Sequence, residues 1–202
     1  SGSLVDPSDA LAALIASRAE AIQRICVEQF RQFSHEERAE RIDTMKGEAW
    51  DSHPGWADLP AGLRAELEEG GETKDPENAR YDPALLLTLE FGFTGVLNSY
   101  LAERLREQGV PCSGVTGEIE PLLACPCCGY LTLEERGGYS ICPVCFWEDD
   151  GVDEPSALSG PNHMTLGEGQ KSFARLGAVT QRERRFVDPE GPRKYPRSPK
   201  AT

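Results

Sequence analysis

Four cysteines fall in two equally spaced pairs, Cys125-Pro-Cys-Cys128 and Cys142-Pro-Val-Cys145, with thirteen residues between the pairs. Two such pairs supply the four thiolates that a tetrahedral structural zinc site takes. Pro126 and Pro143 hold the same place in each turn and fix φ there. A small residue beyond the second thiol lets backbone amides point back at the sulfurs. Gly129 suits that role in the first turn, and Phe146 stands in the matching place in the second. Four ordinary buried thiols or two disulfides are the alternatives. Paired x-x spacing with proline repeated at one position rarely arises by chance, and x-x-spaced cysteines make strained disulfides. One structural Zn2+ ion on Cys125, Cys128, Cys142 and Cys145 is therefore expected, with iron in the same cage as the lesser alternative. Cys127 reads as a spare thiol that could replace a neighbouring ligand.

These residues also carry a resemblance. Cys125-Pro-Cys-Cys-Gly-Tyr130, Ile141-Cys-Pro-Val-Cys-Phe-Trp-Glu-Asp-Asp-Gly151, Gly160-Pro-Asn-His163 and Thr165-Leu166 resemble the bacterial cysteine-rich CPCC domain family, over roughly the last third of the chain. The resemblance implies a small zinc-binding module and assigns no catalytic residue. It also implies company among the immunity proteins that protect bacteria from polymorphic toxins. Gly167-Glu168-Gly169-Gln170 departs from the family, whose members carry better helix formers there.

The 202 residues suffice for one sizeable core or two small ones. With 21 basic against 34 acidic residues, the net charge of −13 disfavours nucleic acid and anionic membranes unless charge is sharply segregated, and points to a basic partner. Seven cysteines, most in metal spacing, argue for a reducing compartment. No apolar run reaches membrane-spanning length and the first residues lack a signal pattern, so a cytoplasmic location without membrane contact is expected. Ser1-Gly2-Ser3 reads as a tag remnant.

The elements that must position the site begin with a helical stretch. Pro7, Ser8 and Asp9 supply start signals, and Leu11, Leu14, Ile15, Ile22, Ile25, Phe30 and Phe33 recur near the helical period, with Arg18, Glu20, Arg24, Glu28 and Arg31 on the wet side and Cys26 in the core. Ser34-His35-Glu36-Glu37 reads as a capping box opening a second helix to about Lys46. Trp50, His53 and Trp56, in a link punctuated over Asp51 to Gly55, are expected to pin a loop onto the helices. Pro60, Leu63 and Leu67 suggest a short helix that Gly70-Gly71 ends. Asp82 and Pro83 then open what reads as one long apolar helix ending before Gly109. Gly92 and Gly95 within it would cost about 1 kcal/mol each relative to Ala, so close packing, a kink or, less readily, a ligand at the backbone is expected there.

The resulting expectation is an α+β chain: a mainly α-helical domain over 4–110, a linker over 111–121 holding a free Cys112, a four-cysteine zinc-ribbon-like CPCC domain over 122–188 and a basic Pro-rich tail over 189–202. The zinc domain is expected as two short hairpins around the metal and one helix near Thr165 to Leu176. His163 is read as a structural hydrogen-bonding residue. Residues 182–200 carry seven basic and three acidic side chains, a net +4 against −17 elsewhere, and are expected to be extended and partly disordered, folding back on the body or holding a partner.

Three scattered histidines, with no phosphate loop and no nucleophile elbow, give no basis for an enzyme. A redox or metal enzyme and a zinc-ribbon nucleic-acid binder remain as alternatives. The favoured reading is a non-enzymatic, zinc-stabilised interaction protein, an immunity protein or antitoxin that occludes a basic cognate toxin. Glu148, Asp149, Asp150, Asp153 and Glu154 would present the acidic contact surface, together with exposed parts of the N-terminal helices. The spacing of that run does not match a calcium loop.

Overall fold

The chain is α+β, and a computed structural model describes residues 14–47, 50 and 53–199. It divides into two compact units: Ser1–Thr94 with Ala102–Thr116, and Gly95–Leu101 with Gly117–Thr202. Among the described residues no helix is long and apolar enough to cross a membrane.

In the first unit, strand β1 (Leu14–Ser17) pairs in parallel with β2 (Cys112–Thr116), Leu14 opposite Cys112 and Ser17 opposite Thr116. Helix α1 (Arg18–Phe30) follows β1 at once, because the Ser17 hydroxyl accepts from the Glu20 amide while the Glu20 carboxylate accepts from the Ser17 amide. The helix therefore starts later than its apolar spacing implies: Leu14 and Ile15 are exposed strand residues, and the start signals at Pro7 to Asp9 lie outside the described residues. Arg18 is not on the wet side either; it is buried and donates to the Phe93 carbonyl at 2.9 Å. Cys26 is buried, as its place in the apolar pattern implies.

Helix α2 (His35–Gly47) opens on the expected Ser34–Glu37 box. Helix α3 (Ala61–Glu69) runs from Pro60 to Gly70, whose φ of 77° ends it. The core between them gathers Ile42, Met45, Trp56, Leu63, Leu67, Tyr81 and Leu85, with Trp50 packed against it. His53 sits edge-on to Phe91 at 4.7 Å, so the aromatic link is pinned down as expected; residues 51 and 52 lie outside the described residues.

The long helix is two. Helix α4 (Asp82–Phe91) ends at Gly92, and α5 (Asn98–Glu107) begins after a break in which Gly95 takes φ 72°. The reason is close packing: a Cβ on Gly95 would stand 2.3 Å from Leu122 Cδ1, so a side chain of this protein fills the place read as a ligand approach. The stretch 111–121 is likewise not all linker, since it contains β2, and Cys112 is buried there.

The second unit is built from short pieces: β3 (Leu123–Ala124) antiparallel to β4 (Leu131–Leu133), β5 (Leu158–Ser159) antiparallel to β6 (Met164–Thr165), α6 (Leu166–Leu176) and α7 (Gly191–Lys194). Helix α6 lies where it was expected and is opened by a Thr165–Glu168 capping box. The described part of the tail is ordered rather than extended. Its prolines lack amides but keep carbonyls, and Pro196 accepts from the Leu131 amide at 2.9 Å while the Ser198 amide donates to Gly129 at 2.8 Å.

Replacing Gly95 with Ala should lower stability by roughly 2 kcal/mol or more, from left-handed backbone strain and overpacking against Leu122. Denaturant unfolding would read this as a lower midpoint at unchanged slope. An unchanged midpoint would mean that Leu122 does not set the break.

Candidate metal centre

Each cysteine pair is a tight knuckle. In the first, the Cys125 amide donates to the Tyr130 carbonyl and the Gly129 amide to the Cys125 carbonyl, both at 2.8 Å. In the second, the Cys142 amide donates to Trp147 at 2.9 Å and the Phe146 amide to Cys142 at 2.8 Å. Gly129 and Phe146 stand at matching places with φ of 79° and 70°, so the second knuckle holds an aromatic residue in a conformation that favours glycine. The β3–β4 hairpin closes the first knuckle, and a bridge between Ile141 and Glu148 closes the second.

These turns bring the four sulfurs together. Cys125 Sγ lies 3.6 Å from Cys145 Sγ, Cys128 Sγ lies 3.6 Å from Cys142 Sγ, and all four are within 4.8 Å of one another. A tetrahedral ion with metal–sulfur bonds of 2.3 Å separates its sulfurs by about 3.8 Å, so the donor set fits one such ion. All four residues are at most 1% exposed, which leaves no ligand position open to solvent. Cys127 is buried but is not among the four converging sulfurs, so it does not replace a ligand in this arrangement.

Four thiolates around a divalent ion leave two excess negative charges, and neighbouring donors offset them. The Thr132 hydroxyl lies 3.1 Å from Cys142 Sγ and the Trp147 amide donates to Cys145 Sγ at 3.5 Å. The thiols are unequal. Contacts with Cys125, Cys128 and Cys145, aided by Thr132, hold Cys142 well below the usual thiol range. Burial pushes Cys145 up, and contacts with Cys128 and Cys142 together with burial push Cys125 up. An ion that takes all four as thiolates must therefore displace protons from the raised ones.

The rest of the unit bolts the knuckles in place. From α6, Gln170 donates to the Pro126 carbonyl at 3.0 Å, and a Cβ on Gly169 would stand 2.8 Å from the Trp147 ring. That contact accounts for the weak helix former at this position: the helix must approach Trp147 closely. The Val179 amide donates to Cys145 and the Asp188 amide to Pro143, each at 2.8 Å. Arg197 donates through Nε to the Cys128 carbonyl at 3.0 Å.

The acidic run does not act as one surface. Asp149 is fully buried, accepting from Arg136 Nε at 2.9 Å and from the Gly137 amide at 2.7 Å, so it anchors the loop instead of facing a partner. Glu148 and Asp150 are half-buried, the latter accepting from the Gly160 amide at 3.2 Å. Asp153, with its side chain 73% exposed, and Glu154 face outward. His163 is exposed, and the hydrogen bonding expected of it falls to Asn162, which accepts from the Glu148 amide and donates to the Glu148 carbonyl and Ser159. Thr132, Arg136 and Arg197 carried no local sequence signal. Their partners lie 10, 13 and 69 residues away.

Residues 123–194 match the family model described as cysteine-rich CPCC, so the C-terminal part carries a cysteine-rich CPCC domain. No curated protein and no solved structure matches the chain.

Cys142→Ser should abolish stoichiometric metal retention and loosen the C-terminal unit, read by elemental analysis and near-UV circular dichroism; metal affinity should also fall as pH is lowered, because the raised thiols regain their protons. Equal metal content in the variant would remove Cys142 from the ligand set. Asp149→Asn should cost about 3 kcal/mol by breaking a buried ion pair, whereas Asp153→Asn should cost less than about 1 kcal/mol. Equal effects in thermal unfolding would contradict the division between anchor and surface.

Proposed function

We propose that the chain is a non-enzymatic interaction protein whose C-terminal unit is stapled by one structural zinc ion, and that it acts as an immunity protein by occluding a basic toxin. The observation that supports a structural role for the metal is the donor set: four buried protein sulfurs lie within 4.8 Å of one another, enough to fill all four positions of a tetrahedral ion and leave none for water or substrate. Sulfur ligands in this geometry suit zinc, and the free thiols suit a reducing compartment such as the cytoplasm.

The interaction role rests on charge. A net −13 is complementary to a basic protein. Glu36, Glu40 and Asp43 are exposed on α2, and Asp153 and Glu154 are exposed beside the second knuckle. These carboxylates would steer association and lie against the partner, blocking access to its substrate without chemistry.

The test is a tagged pull-down of the full chain from nuclease-treated native lysate. The expected result is one basic protein at stoichiometric yield, toxic when expressed alone and tolerated when this chain is co-expressed. Glu36→Lys with Glu40→Lys, or Glu154→Lys, should weaken the complex at least about tenfold, one like-charge juxtaposition being worth more than about 1.4 kcal/mol. Recovery of a protein that has no effect on growth, or unchanged affinity in both variants, would overturn the reading.

A further inference from the structure

The segment after α6 is tied to the second knuckle at two points, through Val179 to Cys145 and through Asp188 to Pro143. Between the ties runs Arg182-Glu183-Arg184-Arg185-Phe186. The Thr180 hydroxyl shapes it into a short turn by accepting from the amides of Arg182 and Glu183, each at 3.2 Å. Phe146, at the tip of the knuckle, stacks on Phe186 with ring centroids 5.3 Å apart and planes 27° apart. The Arg185 guanidinium lies 4.6 Å over the same Phe186 ring. The outcome is a layered stack of guanidinium and two rings, built on the metal knuckle and left partly open: Phe186 is 53% exposed.

The charge around this stack is unbalanced. Arg182, Arg184 and Arg185 are exposed, and none has an ion-pair partner among the described residues. Other arginines are paired, as with Arg38 to Asp82 and Arg136 to Asp149, and although Arg24, Arg41 and Arg175 also lack an ion pair among the described residues, only here do three such arginines lie together in one turn. The one acid in the turn, Glu183, is half-buried with Oε2 shielded from solvent. In a chain with 34 carboxylates, three free guanidinium groups beside an exposed aromatic stack form a local reversal of charge. Net charge argues against nucleic acid only when charge is evenly spread, and fields from distant carboxylates are screened beyond about 8 Å at physiological salt.

We propose that this face binds single-stranded nucleic acid. Guanidinium forks match phosphate geometry, and a ring or a guanidinium plane accepts an unpaired base by stacking. A duplex would offer only its phosphates, because its bases are already stacked on one another. The site lies beyond the contacts suggested for a basic protein partner and does not depend on them, since those are read out after nuclease treatment. It also gives the metal proposed for the four-cysteine cage a second consequence: by fixing the second knuckle it would hold Phe146 and both ties, and therefore the platform.

The test is fluorescence anisotropy of the full chain with labelled mixed-sequence single-stranded RNA and DNA of about 12 nucleotides, the matching duplex, and an oligoglutamate of equal charge. Affinity for the single strands should fall roughly 7- to 18-fold between about 50 and 200 mM salt, the slope for two or three phosphates. The duplex should bind at least about 5-fold more weakly, and Phe186→Ala, which removes the ring that holds Arg185 and Phe146 in the stack, should lose at least about 5-fold, the worth of one base stack. Arg184→Glu should weaken binding about tenfold, whereas Lys74→Glu, the same charge change at an exposed site in the other unit, should change it less than about twofold. Metal content shows that each variant is folded, and the salt slope and duplex comparison stand on the unaltered chain. Absence of single-strand binding at the lower salt, equal loss in the Lys74 and Arg184 variants, or equal affinity for oligoglutamate would overturn the proposal, the last by assigning the face to an acidic protein.

Discussion

Four sulfurs within 4.8 Å of one another, all buried, are the constraint on which the C-terminal unit depends. As thiolates without a cation they would repel one another and go unsolvated; a divalent ion turns that repulsion into the strongest contact in the unit. The surrounding structure could not substitute for it. Strands β3, β5 and β6 are two residues long and β4 is three, well short of what makes a hairpin stable in water. Helix α6, the tail and the loop anchored by Asp149 all dock onto the knuckles, so the binding free energy of a metal held there would be folding free energy for them.

This arrangement separates what is rigid from what is available. The carboxylate best placed to look like a partner contact in sequence, Asp149, is used up holding Arg136 and Gly137, while Asp153, although it also pairs with Arg136 at 2.8 Å, and Glu154 remain exposed. The second knuckle also holds the Phe146–Phe186 stack through neighbouring backbone ties. Within one small unit, opposite charges are thus displayed from elements that dock on the same four-cysteine cage. A net charge of −13 describes the chain as a whole and conceals that segregation.

The convergence of the four cysteines was legible because its geometry is local: two x-x pairs with proline at one place force two knuckles whatever surrounds them. The Ser34 helix start was legible for the same reason; Thr165 with Glu168 and Ser17 with Glu20 carry the same signature, which at Ser17 is overridden by apolar residues that continue the helical period upstream. What sequence hid is long-range. The break between α4 and α5 exists because Leu122 occupies the space over Gly95. Strand β2 reads as a loop because its partner β1 lies far upstream, with Leu14 set opposite Cys112. The proline-rich tail reads as disordered because prolines signal extension, and nothing local says that the Pro196 carbonyl will find the Leu131 amide.

X-ray absorption spectroscopy of the purified full chain addresses the metal cage most directly, since edge and fine structure report the element and its donors together. The expected result is a zinc edge with a single shell of four sulfurs at about 2.3 Å. An iron edge, or a shell containing nitrogen or oxygen donors in place of a sulfur, would contradict a closed four-thiolate zinc site.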